Sequence, residues 1–313
     1  MFRYTFGPVY SRRLGRSLGV NNIPYKLCTY SCIYCQLGRT IKMTIERKPF
    51  YDPQDIVRDV AETLAQIKGE VDFVTFVPDG EPLLDLNIAA EITGIRHETG
   101  SRVAVLTNAS LLYQEQCRLD LAEADLVSVK VDAVSKQVWR RINRPHPSLR
   151  LNEILEGIRE FAKTFKGRLI TETMLVEGFN DSRDEIRAIA EFIASINPHK
   201  AYLAVPVRPP AEPYATPPPP EKLVEAYNIF TEHIGRDKVE LLNMPEPPPE
   251  TLYGDPAQWI LSTISVHPLR YTYAVKLLEE KGENPEKLLS SLIEKNLIRI
   301  VEYRGEKFIT RTY

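Results

Sequence analysis

Asp72-Phe-Val-Thr-Phe-Val-Pro78 is a short apolar run rich in β-branched and aromatic residues. It reads as a strand buried on both faces. Runs of the same kind follow at Arg102–Thr107 (RVAVLT), Leu126–Val131 (LVSVKV), Arg168–Val176 (RLITETMLV) and Lys200–Val207 (KAYLAVPV). Between them the period changes to that of amphipathic helices, at Asp85–Glu98, Leu111–Glu123, Ser135–Ile142, Leu151–Phe165 and Ser182–Ser195, with Glu221–Ile234 after the last. Upstream, Asp52 stands as an N-cap before Pro53, and a helix runs to about Lys68. One more strand is expected at Leu18–Tyr25. Apolar strands alternating with helices predict parallel βα units. The fold class is therefore α/β, a partial (β/α)6 TIM-like barrel rather than the closed eight-stranded form. In such folds chemistry sits at the C-terminal ends of the strands.

The rest of the chain is organised around this core. It has 313 residues, 43% of them hydrophobic, with 40 Lys+Arg against 42 Asp+Glu and a net charge of −2. That composition excludes a disordered or collagen-like chain. No apolar run approaches the roughly 20 residues that span a bilayer, and the first residues carry no apolar signal-peptide core. No membrane association and a cytoplasmic location are expected. A near-neutral balance argues against a protein that coats nucleic acid. Pro206–Pro220 holds eight prolines in 15 residues and Pro245–Pro249 four in five, and such stretches are stiff spacers or framing loops. The tail reads as three helices, at Ala257–Val266, Leu269–Glu280 and Pro285–Asn296, then a hairpin of Ile298–Tyr303 and Lys307–Thr312 around Arg304-Gly305-Glu306. The expected division is a core over 1–244, a linker over 245–255 and a small winged helix-turn-helix domain over 256–313.

Four cysteines are present, and three stand together in Cys28-Thr-Tyr-Ser-Cys32-Ile-Tyr-Cys35. Clustering of this kind points to a metal or iron–sulfur site rather than a disulfide framework. A zinc site of three cysteines and a histidine is the plain alternative, but His97, His146, His199, His233 and His267 all lie far away in sequence. A [4Fe–4S] cluster on three cysteines leaves one iron open to a substrate or cofactor. Cys117, alone on a helical pattern, reads as inert packing.

Cys28-x3-Cys32-x-Tyr34-Cys35 resembles the signature of the radical S-adenosylmethionine (SAM) superfamily. Phe6–Gly19 (FGPVYSRRLGRSLG) and Cys35-Gln-Leu-Gly-Arg39 resemble its wyosine-synthase-like branch, and the resemblance covers most of residues 6–215. It implies that Cys28, Cys32 and Cys35 hold a [4Fe–4S] cluster whose fourth iron is chelated by SAM. It also implies reductive cleavage to a 5′-deoxyadenosyl radical that takes a hydrogen from substrate, with a flavodoxin or ferredoxin as electron donor. Asp79-Gly80-Glu81-Pro82 resembles the family's Gly-Gly-Glu-Pro motif, which receives the SAM ammonium, with Glu81 the key residue and Asp79 a departure from the pattern. Tyr34 matches an aromatic that packs near the adenine. At the strand ends, Asn108, Lys130 and Asp132 face the same mouth, with Asp132 suited to a ribose and Lys130 to a carboxylate. Glu172, a carboxylate among apolar neighbours, needs a partner and is a further ligand candidate. Asn180-Asp181 is a candidate N-cap for the helix that follows.

Two arginine groups, Arg12, Arg13, Arg16 and Arg39 in one and Arg140, Arg141, Arg144 with His146 in the other, are expected to frame an anionic substrate. Tyr202 and Arg208–Glu212 add a wall. Wyosine synthases carry a second cysteine trio that this chain lacks, so wyosine synthesis itself is not implied. The expected substrate is a small molecule, peptide or protein. The alternatives are a tRNA-modifying radical SAM enzyme and an iron–sulfur sensor whose winged helix reads DNA.

Overall fold

A computed structural model describes residues 4–249, 252 and 254–312. In chain order it contains β1 (Thr5–Ser11), β2 (Gly15–Val20), β3 (Leu27–Cys28), β4 (Lys42–Met43), α1 (Pro53–Gln66), β5 (Phe73–Phe76) and a 3-10 turn at Pro82–Leu84. Next come α2 (Ile88–Thr99), β6 (Val103–Thr107), α3 (Glu115–Asp120), β7 (Leu126–Lys130), α4 (Lys136–Ile142), α5 (Leu151–Thr164), β8 (Arg168–Met174) and α6 (Arg183–Ile196). The core ends with β9 (Lys200–Ala204), α7 (Pro220–Ile234) and β10 (Val239–Leu242). The main sheet is eight-stranded, in the order β1-β2-β5-β6-β7-β8-β9-β10, and curls into a half-barrel. Every neighbouring pair is parallel except β1 with β2. The six strands expected from the sequence form its middle.

The structure adds a strand at each edge. β1 contains Gly7-Pro8, and proline inside a run argues against a strand; its register with β2 shifts between Phe6 and Val9 to accommodate them. β10 is four residues long, too short for a periodic signal. The helix expected at Leu111–Glu123 is confined to α3. The segment before it is held in turns (Leu112 N to Ala109 O, Gln114 N to Leu111 O), and Gly157 of α5 presses so closely on the Leu112 backbone that a Cβ there would overlap it. Asp52 caps α1 as expected, accepting from Gln54 N at 2.9 Å. α6 is capped instead by Ser182. Asn180 is buried, and its amide ties the ends of two strands by donating to the Asp132 and Met174 carbonyl oxygens, both at 2.8 Å.

Directly after the β5 loop, Asp85 and Glu91 sit buried together. Asp85 Oδ2 and Glu91 Oε1 accept no hydrogen bond from other described residues. Burial first, and the Asp85 carboxyl second, push Glu91 well above the usual carboxylate range. A proton held on Glu91 bonds the two carboxyls to each other. The unfolded chain releases that proton in the ordinary glutamate range, whereas the folded chain keeps it. The stability it contributes is therefore complete below that range and is lost as pH climbs toward alkaline values. Glu91→Gln, which donates at any pH, should raise Tm at pH 8.5 by about 2–4 °C. Melts at pH 4.5 should show the gap closed; an equal gap at both values excludes the shared proton.

After the core come α8 (Pro256–Val266), β11 (Leu269–Arg270), α9 (Tyr271–Glu280), α10 (Pro285–Glu294), β12 (Ile298–Tyr303) and β13 (Glu306–Arg311). β11, β13 and β12 form an antiparallel sheet in that order. The segment has its own apolar cluster, including Trp259, Ile264, Leu277, Leu289 and Ile309. It is seated on the half-barrel: Trp259 Nε1 donates to Gly7 O at 3.1 Å, and Tyr303 OH donates to Pro206 O at 3.1 Å. Among the described residues no helix is long and apolar enough to cross a membrane.

Candidate active site

A cavity of about 300 Å³ opens at the C-terminal ends of the central strands. Cys28, Cys32 and Cys35 all line it, together with Tyr34, Glu81, Asn108, Lys130 and Glu172. The cysteine loop is held from below by the chain after α4. Ser31 N donates to Asn143 O at 3.0 Å, Ile33 N to Ile142 O at 3.0 Å, and His146 N to Thr29 O at 2.9 Å. On its other side, buried Glu212 accepts from Arg39 at 2.8 Å and Arg144 at 2.5 Å, while its own backbone N donates to Ile33 O at 2.9 Å. Hydrogen bonding from Arg39 draws the Glu212 carboxyl down to about 2. Part of the first proline-rich stretch thus braces the cysteine loop.

Each cysteine sulfur faces one N–H donor from a different place in the chain. Asn108 Nδ2 approaches Cys28 Sγ at 3.6 Å, Asn143 Nδ2 approaches Cys32 Sγ at 3.4 Å, and Lys26 Nζ approaches Cys35 Sγ at 3.4 Å. Burial pushes the Cys28 thiol up to about 12 and that of Cys32 to about 11, so a strong electrophile must stand close for these groups to be thiolates. Among the described residues no three His, Cys, Asp or Glu groups converge on one point as a single metal ion needs. In a cubane each thiolate holds a different iron. Three half-buried sulfurs stand on one cavity wall, each with an N–H donor, an arrangement that fits such a group.

The carboxylates divide into two kinds. Glu81 closes its own loop: Oε1 accepts from Thr107 Oγ1 at 2.5 Å and Leu83 N at 3.1 Å, and Oε2 accepts from Asn108 N at 2.8 Å. Burial raises it to about 7 against those bonds. It lines the cavity, but its oxygens are already engaged in joining the β5 and β6 ends. Asp132 does not line the cavity. Its oxygens accept from Met174 N at 2.8 Å, Asn143 Nδ2 at 2.8 Å and Tyr34 OH. Asp132, expected to face a ribose, braces Tyr34, Asn143 and the end of β8 in this structure. Lys130 Nζ pairs with Glu172 Oε1 at 2.7 Å and lies 4.8 Å over the Tyr34 ring; burial lowers its pKa. Glu172 has its required partners, Lys130 and Arg13, and both pairs line the cavity.

The two arginine groups do not form one frame. Arg12 and Arg13 line the cavity. Arg16 is spent on the Glu70 and Lys68 carbonyl oxygens, Arg39 and Arg144 on Glu212, and Arg140 and Arg141 are exposed. Arg208, given only a wall role by the sequence, joins Arg12 and Arg13 at the cavity, whereas Tyr202 does not line it. Sequence reasoning missed Lys26 and Asn143, whose only signal is a polar residue near the motif or in a loop. It also missed the ligand potential of Asp79, a buried cavity residue whose Oδ1 accepts no hydrogen bond from the described residues and whose carboxyl burial pushes to about 6. Cys117 is buried on α3 away from the cavity, as expected of packing.

The radical SAM superfamily model matches residues 22–193, which include the cysteine loop and four strands of the half-barrel. The chain belongs to the radical SAM superfamily. A UPF0026 protein of Methanocaldococcus jannaschii is 43% identical over 304 residues, covering 97% of this chain and 94% of the relative. A UPF0026 protein of Synechocystis is 38% identical over 209 residues, covering 66% of this chain and 77% of the relative. The structure of TYW1 with a lysine–pyruvate adduct bound superposes with a TM-score of 0.53 at 17% identity, over 69% of this chain and 73% of that one, a likeness of fold. Radical SAM enzymes generally use a [4Fe–4S] cluster and SAM, which they cleave to a radical.

Proposed function

We propose that this radical SAM enzyme holds a [4Fe–4S] cluster on Cys28, Cys32 and Cys35 and binds SAM in the cavity lined by Asn108, Lys130, Glu172 and Tyr34. It then acts on a small-molecule, peptide or protein substrate. The observation that carries this reading is the set of three sulfurs on one wall, each opposite its own N–H donor. The chemistry the bound pair supplies is one-electron cleavage of SAM to methionine and a 5′-deoxyadenosyl radical. The protein's part is to orient and to exclude water. Asn108, Asn143 and Lys26 direct N–H groups at the sulfurs and favour the thiolate form. Glu81 locks the β5 and β6 loops so that the Asp79–Gly80 backbone forms the cavity wall. Tyr34, held by Asp132 and Asn143, supplies a flat apolar face. A flavodoxin or ferredoxin is the proposed electron donor, and the segment after Pro256 is proposed as a winged helix that docks the substrate.

The test is anaerobic reconstitution with iron and sulfide, then dithionite and SAM, with chromatography for 5′-deoxyadenosine. Slow formation without substrate supports the reading. Zinc uptake in place of iron ends it. Lys26 adds a quantitative check. A cation donating to Cys35 Sγ favours the reduced, more negative state. Lys26→Met should therefore lower the reduction potential by about 60 mV, the equivalent of one charged hydrogen bond for a one-electron couple. A redox titration followed by electron paramagnetic resonance reads it, and an unchanged potential removes Lys26 from this role.

A further inference from the structure

Beside the main cavity lies a second, of about 130 Å³, walled by the β1–β2 turn, the end of the β9 loop, the second proline-rich stretch and the start of the C-terminal segment. The two share Arg12, Arg13 and Arg208, so they adjoin across these guanidinium groups. Among the described residues the charges on the second cavity's wall are unbalanced: three arginines face one carboxylate, Glu246. Burial holds His267 down to about 4, so it adds no charge near neutral pH. Arg208 Nη2 pairs with Glu246 at 2.9 Å, and Arg13 pairs with Glu172 on the other side. Arg12 has no carboxylate partner among the described residues; its Nη1 donates to the Leu242 and Met244 carbonyl oxygens, at 2.9 and 2.5 Å.

Three half-buried guanidinium groups gathered on one wall, with Arg12 in no direct ion pair among the described residues, favour an anion that completes them. Burial, and after it the neighbouring Arg12, hold the Arg13 guanidinium down to about 10. Arg208 Nε is buried without a hydrogen-bond partner among the described residues, so it leaves a donor for an anion to satisfy. Guanidinium forks match oxyanions, whether carboxylate or phosphate.

We propose that the second cavity is a subsite for a small oxyanion, a carboxylate or phosphate group of the substrate, held by Arg12 and Arg208 beside the SAM cavity. As a substrate subsite it rests on the radical SAM reading above. Val266 of the C-terminal segment lines both cavities, and Gln36 of the cysteine loop donates to its carbonyl oxygen at 3.2 Å. The tail therefore closes the side of the chamber where the anion sits and limits what can be attached to it.

The test uses the reconstituted full chain with SAM in excess, so that the carboxylate of SAM does not itself report. Inorganic phosphate and, separately, malonate are titrated in by calorimetry. Saturable one-site binding of either supports the subsite, and the tighter anion tells which group the substrate carries. Arg12→Gln should weaken binding at least tenfold, while Arg58→Gln, an exposed pair with Asp55 on α1, should leave it unchanged. If neither anion binds saturably, or Arg12→Gln binds as well as the wild type, the proposal is overturned. Should Arg12→Gln fail to fold, phenylglyoxal labelling of the wild type decides. The anion should protect Arg12 and Arg208 and not Arg58, and equal labelling with and without it overturns the site. Deoxyadenosine formation is read in parallel. Cleavage of SAM without anion binding overturns the subsite alone, whereas anion binding without cleavage supports the oxyanion site and counts against the cofactor reading.

Discussion

Cys32→Ala protein, reconstituted anaerobically and given dithionite and SAM, is expected to form 5′-deoxyadenosine at least about 100-fold more slowly than the wild type. Even the outer hydrogen-bond partners of metal ligands are worth 10–100-fold, and this change removes a ligand candidate outright. It leaves two sulfurs on the cavity wall and removes the sulfur that Asn143 Nδ2 approaches at 3.4 Å. No fourth cysteine can substitute, because Cys117 is buried on α3 away from the cavity. Cys117→Ala is accordingly the control, with wild-type cleavage expected. The bound iron of each variant, by metal analysis, separates loss of the cluster from loss of the fold. Wild-type cleavage by Cys32→Ala would remove this cysteine from the site.

Gly80→Ala is the second large effect. A Cβ at Gly80 would overlap the backbone carbonyl of Leu27, the residue immediately before Cys28, and would stand 2.6 Å from Ile23 Cδ1. The carbonyl cannot retreat cheaply, since Glu81 N donates to it at 3.2 Å and β3 is paired there with β4. Overpacking of this kind costs about 2–3 kcal/mol. Here the strain falls where the Glu81 loop meets the start of the cysteine loop. Gly80→Ala should therefore lose stability by that amount in urea and lose most of its SAM binding in equilibrium dialysis. Gly94→Ala on α2 is the contrast: its Cβ meets only the side-chain methyl Val57 Cγ2, at 2.7 Å. A methyl can turn aside, and alanine is the better helix former, so a change within about 0.5 kcal/mol is expected. Equal losses in the two variants would contradict the tight contact at Gly80.

Elements whose signals are local could be read directly from the residues. Five apolar β-rich runs became strands because burial on both faces requires continuous apolar side chains. Asp52-Pro53 began α1 because a cap and a fixed φ act within three residues. The cysteines were legible by spacing alone, since one short loop presents all three to one cavity. The remainder depends on register and loop path between distant segments. The edge strands β1 and β10 exist because the neighbouring strand supplies their hydrogen bonds, not because their composition favours them. Asp132 and Glu172 looked alike as strand-end carboxylates. Asp132 is consumed by Tyr34, 98 residues away, and by Asn143, while Glu172 is left on the cavity between Lys130 and Arg13. The arginines looked like two local groups, yet Arg12 and Arg13 were joined by Arg208, because the β1–β2 turn and the end of the β9 loop meet over the same cavity. Residues within a few positions interact through a period fixed by backbone geometry. Those a hundred positions apart meet only when the sheet order and its curl bring their strand ends together.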